Sequence, residues 1–80
     1  MPVESERVCT VLSIISESGA LRIKDVTELL RIPNRSINAL MQYLKRKGLV
    51  AKTGLAFDAP YLLTEAGHAA LAEMERRQAA

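Results

Sequence analysis

Residues Ile32 to Val50, IPNRSINALMQYLKRKGLV, leave the middle of this 80-residue chain very little choice of structure. Pro33 disfavours helix at the residue before it, and Asn34 carries a side chain that can cap a new helix by accepting from the N–H of Ser36 or Ile37. Ile37, Leu40, Met41 and Leu44 then recur at helical spacing and form one apolar face. Lys45, Arg46 and Lys47 put cations at the negative end of that helix, and Gly48 supplies a residue able to leave it in a left-handed conformation. The spacing predicts a helix over residues 34–47 with Arg35, Asn38, Ala39, Gln42 and Tyr43 facing outward.

The flanking sequence supplies a scaffold for it. Val8, Val11, Leu12 and Ile15 form an i, i+3, i+4, i+7 stripe, which predicts a first helix from about residue 4 to 18, ended by Gly19, with Ile14 beside the stripe. Leu21 to Ile23 alternate as a very short strand. Asp25 then sits in the first turn of a second helix whose inner face is Val26, Leu29 and Leu30. Only Arg31 to Pro33 separate this helix from the next, a tight turn that forces a steep packing angle as in a helix-turn-helix, although the glycine often seen there is missing.

Beyond Gly48 the pattern changes. Leu49 to Thr53 and Tyr61 to Thr64 read as strands, and Gly54 to Pro60 as the loop of a hairpin joining them. Thr64 can cap a last helix that has Glu65 in its first turn and Gly67, Ala70, Leu71 and Met74 on one face; its end, ERRQAA, is expected to fray. The expected fold class is mainly α with a small β-hairpin, α+β, in a single domain over residues 1–80.

Several function classes find no support in the residues. No apolar run approaches the roughly 18 residues that span a bilayer, and the start MPVESERV is acidic rather than signal-like, so a soluble cytoplasmic protein with no membrane partner is expected. Cys9 is the only cysteine, which rules out an internal disulfide and a cysteine zinc cluster; a buried thiol packed as a small hydrophobe is expected. His68 is the only histidine and is expected to face solvent in the first turn of the last helix. Phosphate loops and nucleophile elbows do not occur. No catalytic residue, metal site or cofactor is therefore expected, and the chain does not read as an enzyme.

Charge points elsewhere. Residues 22–52 hold eight cations, Arg22, Lys24, Arg31, Arg35, Lys45, Arg46, Lys47 and Lys52, against Asp25 and Glu28, a net +6, while the segment on each side carries −2. A basic middle between acidic ends suits a surface that faces a polyanion. The outward residues of the 34–47 helix suit the same partner: Arg, Asn and Gln side chains make paired hydrogen bonds to base edges, and Ala39 allows close approach.

The order helix, short strand, helix, turn, helix, hairpin, helix resembles the winged helix-turn-helix transcriptional regulators of bacteria, especially small members of the MarR and PadR type. The resemblance covers almost the whole chain and is carried by SINALMQYLKRKGLV, with Ile37, Leu40, Leu44, Gly48, Leu49 and Val50 at core and turn positions, and by YLLTEAGHAALAEME after the hairpin. It implies that Arg35, Ser36, Asn38, Ala39 and Gln42 face the major groove of double-stranded DNA with Tyr43 at the edge, and that Lys45, Arg46 and Lys52 meet phosphates. It also implies a homodimer, for which Ile14 on the first helix and Ala66, Ala69 and Ala72 on the last offer apolar or small side chains. The departure lies in the wing, where Gly54 to Pro60 contain no Arg or Lys. Phe57 there has two readings: folded back beside Tyr61, or presented to a protein partner or ligand. Winged helices also serve as protein-docking modules, so an accessory or antagonist of another regulator, using the apolar wing and the outer faces of the end helices, is the alternative function.

Overall fold

The computed structural model describes residues 3–79. It is mainly helical, with a two-stranded antiparallel hairpin: α1 (Val3–Ser18), α2 (Ile23–Leu30), α3 (Asn34–Arg46), β1 (Val50–Lys52), β2 (Tyr61–Leu63) and α4 (Glu65–Ala79). The backbone of α4 stays helical through most of ERRQAA, and Ala80, the last residue expected to fray, lies outside the described residues. Among the described residues, no helix is long and apolar enough to cross a membrane.

Every element contributes to one apolar core. Val8, Val11, Leu12 and Ile15 of α1, Val26 of α2, Ile37, Met41 and Leu44 of α3, Val50 of β1, Tyr61 and Leu63 of β2 and Leu71 of α4 are buried together, with Cys9 buried among them as expected. This face of α3 is the one its periodicity predicts, and burying it fixes which face is left to solvent. Leu29 departs from expectation: it is 61% exposed. α2 packs on α3, but Val26 is the one residue that this short helix buries fully, and no neighbouring element covers Leu29.

The helix ends follow from local chemistry, with one correction. α1 ends at Gly19, which adopts φ +88° and donates its N–H to Ile15 O at 2.8 Å. At the start of α2 the Asp25 carboxylate accepts from the Arg22 backbone N–H at 3.2 Å and from the Arg22 guanidinium at 3.1 and 3.2 Å. The guanidinium hydrogen bond, with the backbone one behind it, holds the Asp25 carboxyl below its ordinary range and raises Arg22 in turn. Arg31 closes α2 at φ 54°, taking the left-handed conformation usually left to glycine. The cap of α3 is Pro33, not Asn34: the Pro33 carbonyl accepts from Ser36 and Ile37 at 3.0 and 3.1 Å, and no side-chain cap bond forms. Pro33 already has the extended ψ of a cap residue and no N–H to satisfy, so the helix begins one residue earlier and Asn34 becomes its first helical position.

The hairpin pairs Val50 with Leu63, Ala51 with Leu62 and Lys52 with Tyr61, and Thr53 extends it by donating both its N–H and its hydroxyl to Pro60 O. On its other side, Tyr61 exchanges two backbone hydrogen bonds with Leu21, at 2.9 and 2.7 Å, which is what remains of the short strand expected at residues 21–23. Gly48, at φ +77°, turns the chain from α3 into β1.

Thr64 ties this turn to α4. Its hydroxyl accepts from the Gly67 N–H at 3.0 Å, the expected cap, and donates to Gly48 O, while its own N–H reaches Leu49 O at 3.1 Å. Gly67 is buried where α4 meets this corner, and a Cβ there would collide with the Leu49 carbonyl.

Candidate nucleic-acid interface

α3 divides cleanly because 100° per residue separates its two faces. With Ile37, Met41 and Leu44 held in the core, Arg35, Asn38, Ala39, Gln42, Lys45 and Arg46 are exposed along the opposite side. Tyr43 is 44% exposed at the edge and Ser36 is half-buried. All the expected residues except Lys52, which lies on β1, are on this helix; Ser36, Ala39 and Tyr43 line a groove on one side of it, Asn38 and Gln42 line one on the other, and Arg35, Lys45 and Arg46 are exposed outside both.

One groove, about 310 Å³, runs between α3 and α1 and is lined by Ser36, Ala39 and Tyr43 together with Arg7 and Ile32. The other, about 360 Å³, lies between α3, the start of α2 and the hairpin. Asn34, Asn38 and Gln42 line it from α3, Arg22 from the cap and Lys24 from the first turn of α2, and Lys52, Phe57 and Tyr61 from the hairpin. Arg22, Lys24 and Arg7 belong to this surface although sequence reasoning gave them no individual role. The clustering of Arg22 and Lys24 in the basic middle was the available signal; for Arg7, which lies in an acidic segment, there was none.

Three of the expected side chains are already engaged. Gln42 Nε2 lies 3.5 Å from the hydroxyl of Tyr61, a long hydrogen bond that leaves the amide oxygen and the second N–H free. Tyr61 is 1% exposed, so its hydroxyl is a fixed post for the Gln42 amide. Lys52 turns back on the hairpin: its Nζ donates to Ala56 O at 3.2 Å and Phe57 O at 3.3 Å and sits 5.9 Å from the centre of the Tyr61 ring. Its charge stays in the groove, but the ammonium braces the loop. At the end of α3 the Tyr43 ring is covered in a similar way by Lys47, with Nζ 5.7 Å from the ring centre.

Phe57 does not fold back. It is 97% exposed and Leu55 is 104% exposed, because the loop is closed by backbone contacts and by Lys52 rather than by its own apolar side chains. Ala59 N–H bonded to Ala56 O at 3.1 Å adds a turn within the loop.

The expected dimer residues are placed unequally. Ala66, Ala69 and Ala72 are exposed on α4, whereas Ile14 is half-buried and packed against the core, in a depression with Glu6, Thr10, Ser13 and Glu17. His68 is exposed in the first turn of α4. No group of three or more potential metal ligands occurs among the described residues. Compared with protein-family models, with curated proteins and with solved structures, the chain matches none.

Proposed function

We propose that the protein is a DNA-binding transcriptional regulator of winged helix-turn-helix architecture, in which α3 reads the major groove of double-stranded DNA. The observation that carries this reading is the exposed row Arg35, Asn38, Ala39, Gln42 and Arg46, on a helix whose other face is locked in the core and whose flanks gather cations from α1, α2 and β1. Arg, Asn and Gln offer the paired hydrogen bonds that distinguish base edges, and Lys45 and Arg46 at the helix end suit phosphates. On this reading the protein acts in the cytoplasm.

Electrophoretic shifts against a pool of genomic fragments at two salt concentrations test it. Affinity falls steeply with salt, and Lys45→Gln or Arg46→Gln weakens binding to all sequences alike while flattening the salt slope by about one unit for each phosphate no longer neutralised. Binding that ignores salt, or no binding to any fragment, counts against the reading.

A homodimer joined through α1 and α4 belongs to the same proposal, since one α3 covers a single half-site. Ala66, Ala69 and Ala72 allow close helix approach there, and the half-buried position of Ile14 makes α4 the larger contributor. Sedimentation at high micromolar concentration is expected to give twice the 8.8 kDa chain mass; a monomer with and without DNA would remove the dimer.

The second reading, a protein-docking module, is favoured by one feature only: the fully exposed Leu55 and Phe57. An apolar contact through them would respond little to salt.

A further inference from the structure

The hairpin tip presents the two most exposed large hydrophobic side chains among the described residues, Leu55 and Phe57, on a loop that lacks any cation. The loop is braced rather than loose: Thr53 is tied to Pro60, Ala59 to Ala56, and the Lys52 ammonium grips the Ala56 and Phe57 carbonyls. That bracing holds the apolar tip in position before anything binds, which reduces the ordering cost of using it.

Its surroundings select the occupant. Phe57 lines the same groove as Asn34, Asn38 and Gln42, and that groove carries Arg22, Lys24 and Lys52 against Asp58 and the Asp25 paired with Arg22, which leaves a net charge of +1. A polyanion fits the charge, and the face of a base is the apolar surface that a polyanion offers to a Phe or Leu. Because Phe57 and the outward side chains Asn38 and Gln42 line one groove, the tip stands beside the face of α3 that would meet DNA.

We propose, on the premise that α3 reads DNA, that the hairpin tip is a minor-groove wedge: Phe57, flanked by Leu55, enters between stacked base pairs and kinks the duplex beside the site that α3 reads. Where a charged loop would hold a phosphate, this loop opens a base step. The binding site should then contain a flexible pyrimidine–purine step at the position of the tip, selected by its ease of unstacking rather than by hydrogen bonds.

The test uses the full chain and duplexes of the preferred site in which 2-aminopurine replaces one base at a time, together with end-labelled duplexes for energy transfer. Binding is expected to raise 2-aminopurine emission at one step and to shorten the end-to-end distance. Phe57→Ala abolishes both signals and lowers affinity for the bent site about tenfold, within the cost of unstacking one step, while base preference under α3 and the melting temperature of the free protein are retained because the side chain is solvent-exposed. Phe57→Trp restores the kink, and its indole emission changes on binding. A complex that discriminates its site but keeps the DNA straight and the emission unchanged at every position overturns the wedge, leaves base reading by α3 intact and returns the tip to protein docking. Loss of sequence preference in the wild-type protein itself would strike the reading of α3 first, and the wedge with it.

Discussion

Gly67→Ala is expected to destabilise the protein by about 3 kcal/mol, the upper part of the range for a methyl forced into a filled site. The added Cβ meets the Leu49 carbonyl, which is backbone and cannot rotate away as a side chain could. That same carbonyl accepts the Thr64 N–H, so relieving the collision pulls on the strand-to-helix corner. For a domain of this size, 1 kcal/mol moves the melting temperature by roughly 4–8 °C, so a fall of more than about 12 °C is expected by circular dichroism. Helix propensity predicts the opposite sign: Ala is the better helix former, so the same change on an open helix face would stabilise by up to about 1 kcal/mol. A neutral or stabilising result would mean that α4 does not approach the Leu49 carbonyl, just before β1, as closely as described.

Asn38→Ala and Gln42→Ala are expected to cost about 1 to 3 kcal/mol each, about 5- to 150-fold, in affinity for the preferred DNA site and much less for random DNA. Both side chains are exposed, so the melting temperature should hold while binding falls. The two differ in support. Gln42 is held by the Tyr61 hydroxyl and arrives partly oriented, whereas Asn38 has its full rotamer freedom to lose. Losses of equal size on preferred and random DNA would show that neither residue reads bases, and titration by fluorescence anisotropy on both duplexes decides it.

The division of α3 into a core face and an outward face was legible because Ile37, Met41 and Leu44 recur at the helical period, and a period does not depend on partners. The glycine exits at 19 and 48 and the Thr64 cap were legible for a related reason: each answers a need of the local backbone. The cap of α3 shows where local rules compete. Asn34 has the better capping side chain, but Pro33 has the conformation already, and the chain took the conformation. Leu29 shows the limit of periodicity, since an apolar residue on the expected flank is buried only if a neighbouring element covers it.

The candidate interface divides in the same way. Arg35, Asn38, Ala39, Gln42 and Arg46 follow from α3 alone, but the groove beside them does not, because Arg22 and Lys24 reach it from a second helix and Tyr61 from a strand. Lys52 was legible as a cation and not as the brace of its own hairpin, since its acceptors are backbone carbonyls four and five residues away whose direction depends on the loop. Gly67 read as one small residue on an apolar face, and only the approach of Leu49 gives it a reason to be glycine. Residue order alone was enough for the helices, most of their ends and the side chains that α3 turns outward, because these depend on spacing and backbone chemistry within a few turns. Packing settled which charges share a groove, which apolar side chains stay in water and where two backbones touch, because each of these is a distance between segments that no local pattern records.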